Sequence, residues 1–291
     1  MSRVIRAITR DGSARALIAD TRDTVNEAIK IHGTEPTASA ALGRVLTACS
    51  MMGTLLGEEE DMLTVRFKGD GEGGSVVASS DWKGNVRGFI QNPACDLPLR
   101  PDGKLNVGCC IGKGLMYVLR DTGGEEPYVG IANIVSGEIA EDIASYYANS
   151  EQVPTVCALG VLVDRDRTCA YSGGALIQLL PFADPAVTEQ LEKNASSAPP
   201  ITKMLAEKTL EEILAVYLEG IEYDVFDEIQ NGYECNCSRE RTDRALISLG
   251  KKELTDIYES DEQTEMTCQF CGRKYTYTKD EILKLIKEAK A

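Results

Sequence analysis

Four cysteines towards the C-terminal end of the chain are the residues whose type and spacing most directly suggest chemistry. Cys235 and Cys237 form a C-x-C pair, and Cys268 and Cys271 form a C-x-x-C pair after thirty intervening residues. Zn²⁺ binds four thiolates at about 2.3 Å in a tetrahedron, and two short pairs on separate turns supply that geometry if the fold brings them together. The spacing therefore predicts one zinc ion per chain, held by these four residues.

The single residue between the first two thiols distinguishes this pattern from the two C-x-x-C knuckles of common zinc ribbons. A thiolate that is oxidised to a sulfenic acid condenses with a nearby thiol to form a disulfide, and each pair carries such a thiol one or two residues away. Oxidation would then release the metal. The residues alone leave two interpretations open, a structural zinc site and a redox switch.

The elements that must hold these cysteines lie in residues 231–291, which we expect to form a small domain. A unit of about sixty residues has a marginal hydrophobic core, and zinc ligation contributes about 10–16 kcal/mol in small peptides. We therefore expect this domain to unfold without zinc. The predicted order is a short strand into Cys235, a helix capped by Ser238 and ending near Gly250, a helical turn over 252–258, a strand into Cys268, a strand over 274–276, and a helix capped by Thr278 with Glu281.

The composition limits where such a protein acts. The chain has 291 residues, of which 43% are hydrophobic, enough for more than one domain. We find no N-terminal export signal and no apolar run of about eighteen residues, so we expect a cytoplasmic protein that does not cross a membrane. Its ten cysteines are then expected to be reduced. Those outside the tail are expected to be small buried hydrophobic residues: Cys49, Cys95, Cys109, Cys110, Cys157 and Cys169.

The formal net charge of −15 is concentrated in the middle of the chain. Residues 184–230 carry 11 acidic and 3 basic residues, whereas residues 231–291 carry 12 and 11. Such a chain would repel a polyanionic nucleic acid, and the cysteine-bearing tail has no basic excess to offset the repulsion. The charge therefore argues against one alternative function, a zinc-stabilised module that binds nucleic acid or the ribosome.

Residues 1–183 are predicted to form an α+β domain of antiparallel sheets with packed helices. A hairpin is expected around Asp11-Gly12, and a capping box at Thr24 and Glu27 is expected to open a helix that stops at Gly33. A longer helix from residue 37 to about 56 is rich in small residues that allow close approach of a neighbour. Further strands are predicted over 63–68, 75–80, 86–91, 115–120, 128–135, 156–163 and 168–180, with a helix over about 138–148.

Residues 184–230 are predicted to form an acidic, helical linker. Pro199-Pro200 interrupts the pattern, Ile201 and Met204 lie on one short helix, and Thr209 with Glu212 caps the next. Helices this short are not stable alone in water, so their apolar faces must pack on another element.

An enzyme is the alternative from another class. Cys268 and Cys271 match the C-x-x-C of a thiol-disulfide oxidoreductase, but they lie between two predicted strands and not at the start of a helix. The single histidine, His32, is interpreted as a capping or packing residue. The run 69–74, G-D-G-E-G-G, has no Lys-Ser/Thr ending, so we interpret it as a turn and not as a phosphate loop. No catalytic residue is predicted.

Several segments spread along the chain resemble the bacterial heat-shock protein 33 family, the 33 kDa chaperonins. They are the C-x-C and C-x-x-C tail, the run 32–44 (H-G-T-E-P-T-A-S-A-A-L-G-R), the run 150–154 (S-E-Q-V-P) and the run 173–181 (G-G-A-L-I-Q-L-L-P). The resemblance covers nearly the whole chain. Glu35 and the six additional cysteines depart from the pattern of some relatives and leave the tail motif untouched, although the additional thiols offer other places for oxidation.

The resemblance implies a cytoplasmic, ATP-independent holdase that binds unfolding client proteins and is not an enzyme. It implies that Cys235, Cys237, Cys268 and Cys271 bind Zn²⁺ in the reduced, inactive form. Oxidative stress would form the disulfides Cys235–Cys237 and Cys268–Cys271 and release the zinc. The tail and linker would then unfold and expose apolar surface, usually in a homodimer.

Overall fold

A computed structural model of the protein describes residues 1–124, 126–260 and 263–289. The chain divides into two compact units, Met1–Glu234 and Cys235–Ala291. Both combine helices with antiparallel strand pairs, so the predicted α+β class is confirmed.

The first unit is built on two five-stranded antiparallel sheets. The first sheet consists, from edge to edge, of β10 (Tyr223–Asn231), β1 (Ser2–Thr9), β2 (Ala14–Asp20), β9 (Cys169–Leu179) and β8 (Thr155–Val163). The second consists of β5 (Val86–Ile90), β4 (Ser75–Asp81), β3 (Met62–Gly69), β6 (Gly114–Asp121) and β7 (Tyr128–Asn133). The hairpin predicted around Asp11-Gly12 joins β1 to β2, and the run 69–74 forms the predicted turn between β3 and β4.

Helix α2 (Pro36–Gly53) packs against both sheets and is buried along nearly its whole length. Its small residues permit this position: a Cβ atom added at Gly43 would lie 2.9 Å from Cγ2 of Val161. The close approach predicted for this helix is therefore confirmed. Across the described residues, no helix combines the length and the hydropathy needed to cross a membrane. The shorter helices of this part of the unit are α1 (Arg22–His32), α3 (Val107–Ile111) and α4 (Ala140–Tyr146).

Helix α1 begins earlier than the sequence predicted. Its N-cap residue is Thr21, so Thr24 lies inside the first turn, where it is buried and its hydroxyl donates a hydrogen bond to Oγ of Ser2 at 2.8 Å. The predicted capping box of Thr24 and Glu27 is wrong because the threonine packs against β1. The predicted end of the helix is confirmed at Gly33, whose φ of 61° lies in the left-handed region.

Residues 184–230 contribute three helices, α5 (Pro185–Ser197), α6 (Ile201–Glu207) and α7 (Leu210–Tyr217), the last opened by the predicted capping box of Thr209 and Glu212. Their apolar side chains pack on the face of the first sheet that points away from α2. Gly173 and Gly174 make room on both faces, since added Cβ atoms would lie 2.8 Å from Leu205 of α6 and 2.9 Å from Met51 of α2. These short helices thus gain stability from the sheet.

The end of this segment is a strand, although the sequence predicted a helical linker here. Strand β10 pairs antiparallel with β1 at the edge of the first sheet. Two ion pairs connect the strands, between Arg3 and Glu228 at 3.3 Å and between Arg6 and Asp227 at 2.6 Å, and Arg10, directly after β1, pairs with Asp224 at 3.1 Å. The strand was missed because its partners lie more than two hundred residues away in the sequence.

Candidate metal centre

The second unit carries the four cysteines on a small α+β frame. Its elements are α8 (Arg239–Ser248), α9 (Lys251–Ser260), β11 (Gln263–Thr267), β12 (Lys274–Thr278) and α10 (Lys279–Glu288). The predicted caps are confirmed at Ser238 for α8 and at Thr278 with Glu281 for α10. The strand predicted to lead into Cys235 ends earlier, at Asn231. The buried core is small and consists of Leu246, Leu254, Tyr277, Ile282, Leu285, Ile286 and Ala289.

The first cysteine pair lies immediately before helix α8. The hydroxyl of Ser238 accepts a hydrogen bond from the amide of Arg241, which fixes the start of the helix. The side chain of Arg241 in turn donates to Oδ1 of Asn236, the residue between the two thiols, at 2.6 Å. The single residue of the C-x-C motif is therefore held by the first turn of the helix that follows it.

The second pair lies in the loop of the β11–β12 hairpin. The amide of Cys268 donates to the carbonyl of Arg273 at 2.9 Å, and the amide of Gly272 donates to the carbonyl of Cys268 at 2.9 Å. Gly272 has a φ of 70°, a left-handed conformation that glycine adopts without strain. The tight turn brings the Cys268 and Cys271 side chains to one side of the hairpin.

The fold brings all four thiols together. The Sγ atoms of Cys235 and Cys268 are 3.7 Å apart, those of Cys237 and Cys271 are 3.4 Å apart, and all four lie within 4.8 Å of one another. Four sulfurs at about 2.3 Å from a central zinc ion would be about 3.8 Å from each other. The donor set and spacing therefore fit a divalent metal such as zinc, and each thiol is partly buried.

A tyrosine that sequence reasoning did not identify contacts this cluster. The Tyr275 hydroxyl donates to Sγ of Cys237 at 3.1 Å. Burial by itself would raise the pKa of Cys237, but this hydrogen bond and those from the neighbouring thiols lower it to about 7. Burial raises the pKa of Cys235 and of Cys271. Cys237 is thus the thiol whose ionised form the protein itself favours.

Arg239 connects the two halves of the unit next to the thiols. Its guanidinium donates to the carbonyl of Thr276 at 2.7 Å, pairs with Glu281 at 2.7 Å and lies 3.8 Å from the ring centre of Tyr277. Tyr277 is buried, and its hydroxyl lies 2.7 Å from Oδ1 of Asp243. One arginine therefore joins the helix after the first pair to the strand and helix after the second pair.

The other candidate residues belong to the first unit. His32 is a packing residue, as predicted, with Nε2 at 2.8 Å from the carbonyl oxygen of Gly88. Burial raises the pKa of Cys49 to about 12. The expectation that all six additional cysteines are buried is wrong for Cys109, which is exposed on the outer side of α3, and Cys157 is only partly buried.

An α+β unit followed by a small unit with four converging thiols is the arrangement of a protein with a cysteine-based metal centre. The family model described as "Hsp33 protein" matches residues 2–278. The chain belongs to the Hsp33 family, so the resemblance found in the sequence is confirmed.

Relatives and a solved structure agree with this family along nearly the full chain. A 33 kDa chaperonin of Clostridioides difficile is 45% identical over 287 residues, which cover 98% of both chains. A 33 kDa chaperonin of Clostridium perfringens is 46% identical, covering 98% of this chain and 92% of the relative. The crystal structure of the 33 kDa chaperonin (heat shock protein 33 homologue) of Thermotoga maritima matches with a TM-score of 0.90 and 33% identity, covering 98% of each chain. Family membership supports a chaperone function.

Proposed function

We propose that this protein is a redox-regulated, ATP-independent holdase of the cytoplasm that binds unfolding proteins and is not an enzyme. The observation that carries the proposal is the convergence of four thiols within 4.8 Å in a chain of the Hsp33 family. In the reduced form, Cys235, Cys237, Cys268 and Cys271 would hold one Zn²⁺ and the chaperone would be inactive.

The zinc site would connect two segments that the small core holds only weakly. A bound ion supplies the cross-link between the turn before α8 and the β11–β12 loop, in addition to the folding energy of ligation. The Tyr275 hydroxyl would stabilise the thiolate of Cys237, and Arg239 would hold the two segments at the spacing that the ligands need. Removal of zinc should therefore unfold residues 235–291.

Oxidation would remove the ligands in pairs. Each pair of thiols would lose two electrons and two protons to a peroxide, which is reduced to two waters, and gain one S–S bond. The proposed disulfides are Cys235–Cys237 and Cys268–Cys271. The S–S contacts of 3.4 and 3.7 Å in the reduced arrangement join thiols of different pairs, so the pairing needs a direct test.

Tryptic peptide mapping separates the two pairings. The chain has cleavage sites between the pairs, so Cys235 and Cys237 fall in peptide 209–239 while Cys268 and Cys271 fall in peptide 253–273. Disulfides within the pairs leave these peptides separate, each lighter by one pair of hydrogens. Disulfides across the pairs join them into one cross-linked species and would refute the proposed connectivity.

We propose that residues 184–230 act as a linker between a core of residues 1–183 and a tail of residues 231–291. The structural change that activates the chaperone would take place in this linker. Helices α5–α7 are short and acidic, and their apolar faces cover one face of the first sheet. Their release would expose apolar side chains on both surfaces, including Ile5, Ile18 and Ile177 of the sheet. Such newly exposed surface suits the capture of unfolding chains, by a homodimer of the oxidised protein.

The test follows zinc release and client protection in the same samples. Peroxide with mild heat should release one zinc per chain and suppress the light scattering of a denatured client protein, and a reductant should reverse both. C157S, which keeps all four tail thiols, serves as the matched control and should respond in the same way. Full holdase activity with zinc retained would refute the mechanism. Disulfide-reductase turnover measured alongside would instead support the oxidoreductase alternative.

Limited proteolysis tests the linker. The reduced, zinc-loaded chain should resist cleavage in residues 184–291. After chelation and oxidation, the protease should cleave within residues 184–291 while residues 1–183 stay intact. Equal cleavage of both forms would exclude the proposed linker.

A further inference from the structure

The first unit contains a second pair of thiols in contact. Sγ of Cys95 donates to Sγ of Cys110 at 3.4 Å, and both side chains are fully buried in the core around α2. Fourteen residues separate them, and Cys95 lies in the long loop after β5 while Cys110 lies on α3. A disulfide bond is about 2.0 Å long, so bond formation needs the sulfurs to approach by about 1.4 Å.

Both backbones are fixed by hydrogen bonds. The carbonyl of Cys95 accepts from the amide of Ala38 at the start of α2 at 3.1 Å, and its amide donates to Asn92 at 3.3 Å. The amide of Cys110 donates to Asn106 at 3.2 Å, and its carbonyl accepts from the amide of Gly73 at 2.9 Å. The sulfur contact is therefore held by anchored segments on each side.

The glycine-rich turn between β3 and β4 packs its backbone closely against Cys110. A Cβ atom added at Gly73 would lie 2.5 Å from Sγ of Cys110, and one added at Gly71 would lie 2.4 Å from the Cys110 carbonyl oxygen. The run 69–74 thus has a packing role beside the thiols. At Gly73 no side chain lies between this turn and the Cys110 sulfur.

We propose that Cys95 and Cys110 form a second oxidation site, a disulfide that links the loop after β5 to α3 and stabilises the first unit under oxidising conditions. One thiol reacts with a hydroperoxide to give a sulfenic acid and one molecule of water or alcohol. The other thiol attacks the sulfenic sulfur, which forms the S–S bond and releases a water. The pair thus loses two electrons and two protons, and the peroxide is reduced.

The site should react after the tail. Burial raises the pKa of both thiols, so little thiolate is present at neutral pH, whereas the tail thiols are only partly buried. The neighbouring Cys109 on the same helix is exposed, whereas Cys110 is buried and in contact with Cys95, so C109S shows whether exposure or contact decides which thiol forms the disulfide. The proposal does not depend on the proposed chaperone function.

Peptide mapping of the full, zinc-loaded chain tests the site. After graded peroxide treatment and blocking of free thiols, trypsin should yield peptide 88–104 joined by a disulfide to peptide 105–113. The cross-link should persist in C109S and disappear in C95S and in C110S. It should follow zinc release in time and form equally in a chain whose four tail cysteines are serines.

Three results would overturn the proposal. The first is that Cys95 and Cys110 remain fully alkylatable after the tail has oxidised completely. The second is that the cross-link survives in C110S, and the third is that peptide 105–113 alone carries a Cys109–Cys110 disulfide. Fragmentation of the cross-linked peptides from the parent chain shows whether Cys109 or Cys110 carries the blocking group, and it decides the question even if a variant fails to fold. As a second readout, the cross-linked first unit should melt about 5 °C higher than the same unit after reduction, because the disulfide restricts the unfolded chain.

Discussion

Replacement of Arg239 by alanine tests whether the second unit is held together by more than its ligands. The side chain makes a hydrogen bond to the carbonyl of Thr276, an ion pair with Glu281 and a cation–π contact with Tyr277. The hydrogen bond contributes about 1.5 kcal/mol and the cation–π contact about 1 kcal/mol, while the ion pair, whose partners are each more than a third exposed, adds at most about 0.5 kcal/mol. The expected loss is about 2–3 kcal/mol.

This loss should appear as weaker zinc binding. Because folding of the unit and metal binding are coupled, a destabilisation of about 2–3 kcal/mol lowers the apparent zinc affinity by about 30- to 150-fold. The assay is a competition titration of the reduced full chain against a chromophoric chelator. Arg244→Ala, on the exposed face of the same helix, is the matched control and should change the affinity by less than about threefold. If Arg239→Ala also changed the zinc affinity by less than about threefold, the role assigned to this arginine would be refuted.

Three further predictions concern the thiols and the core. Tyr275→Phe should lower zinc affinity about tenfold, since the hydroxyl that supports the Cys237 thiolate is lost, whereas an unchanged affinity in the chelator competition would contradict this role. Zinc affinity should fall as the pH is lowered from 8 to 6, because burial raises the pKa of Cys235 and Cys271 and protons then compete for these thiols; a pH-independent titration would argue against thiolate ligation. Gly43→Ala should destabilise the first unit by about 1–3 kcal/mol in urea unfolding. An unchanged urea midpoint would contradict the tight packing of α2 at this position.

Much of the second unit followed from local signals in the sequence. Ser238 and Thr278 are the N-cap residues of α8 and α10, as the sequence predicted. This prediction succeeds because an N-cap hydrogen bond spans only three residues. Thr24 was misread in α1 because the same residue type can also bury its hydroxyl against a distant partner, here Ser2. Strand β10 was missed for a related reason, since its arginine partners on β1 are remote in the sequence.

The sequence by itself determined the thiol inventory, the α+β class and the hairpins and helices whose signals lie within a few residues. The tertiary structure decided which of those groups meet. It brought the C-x-C and C-x-x-C pairs to one point, placed the Tyr275 hydroxyl on Cys237, and brought Cys95 into contact with Cys110. Spacing along the chain predicts contacts that a turn or a cap can enforce, whereas contacts between distant segments depend on how sheets and helices pack.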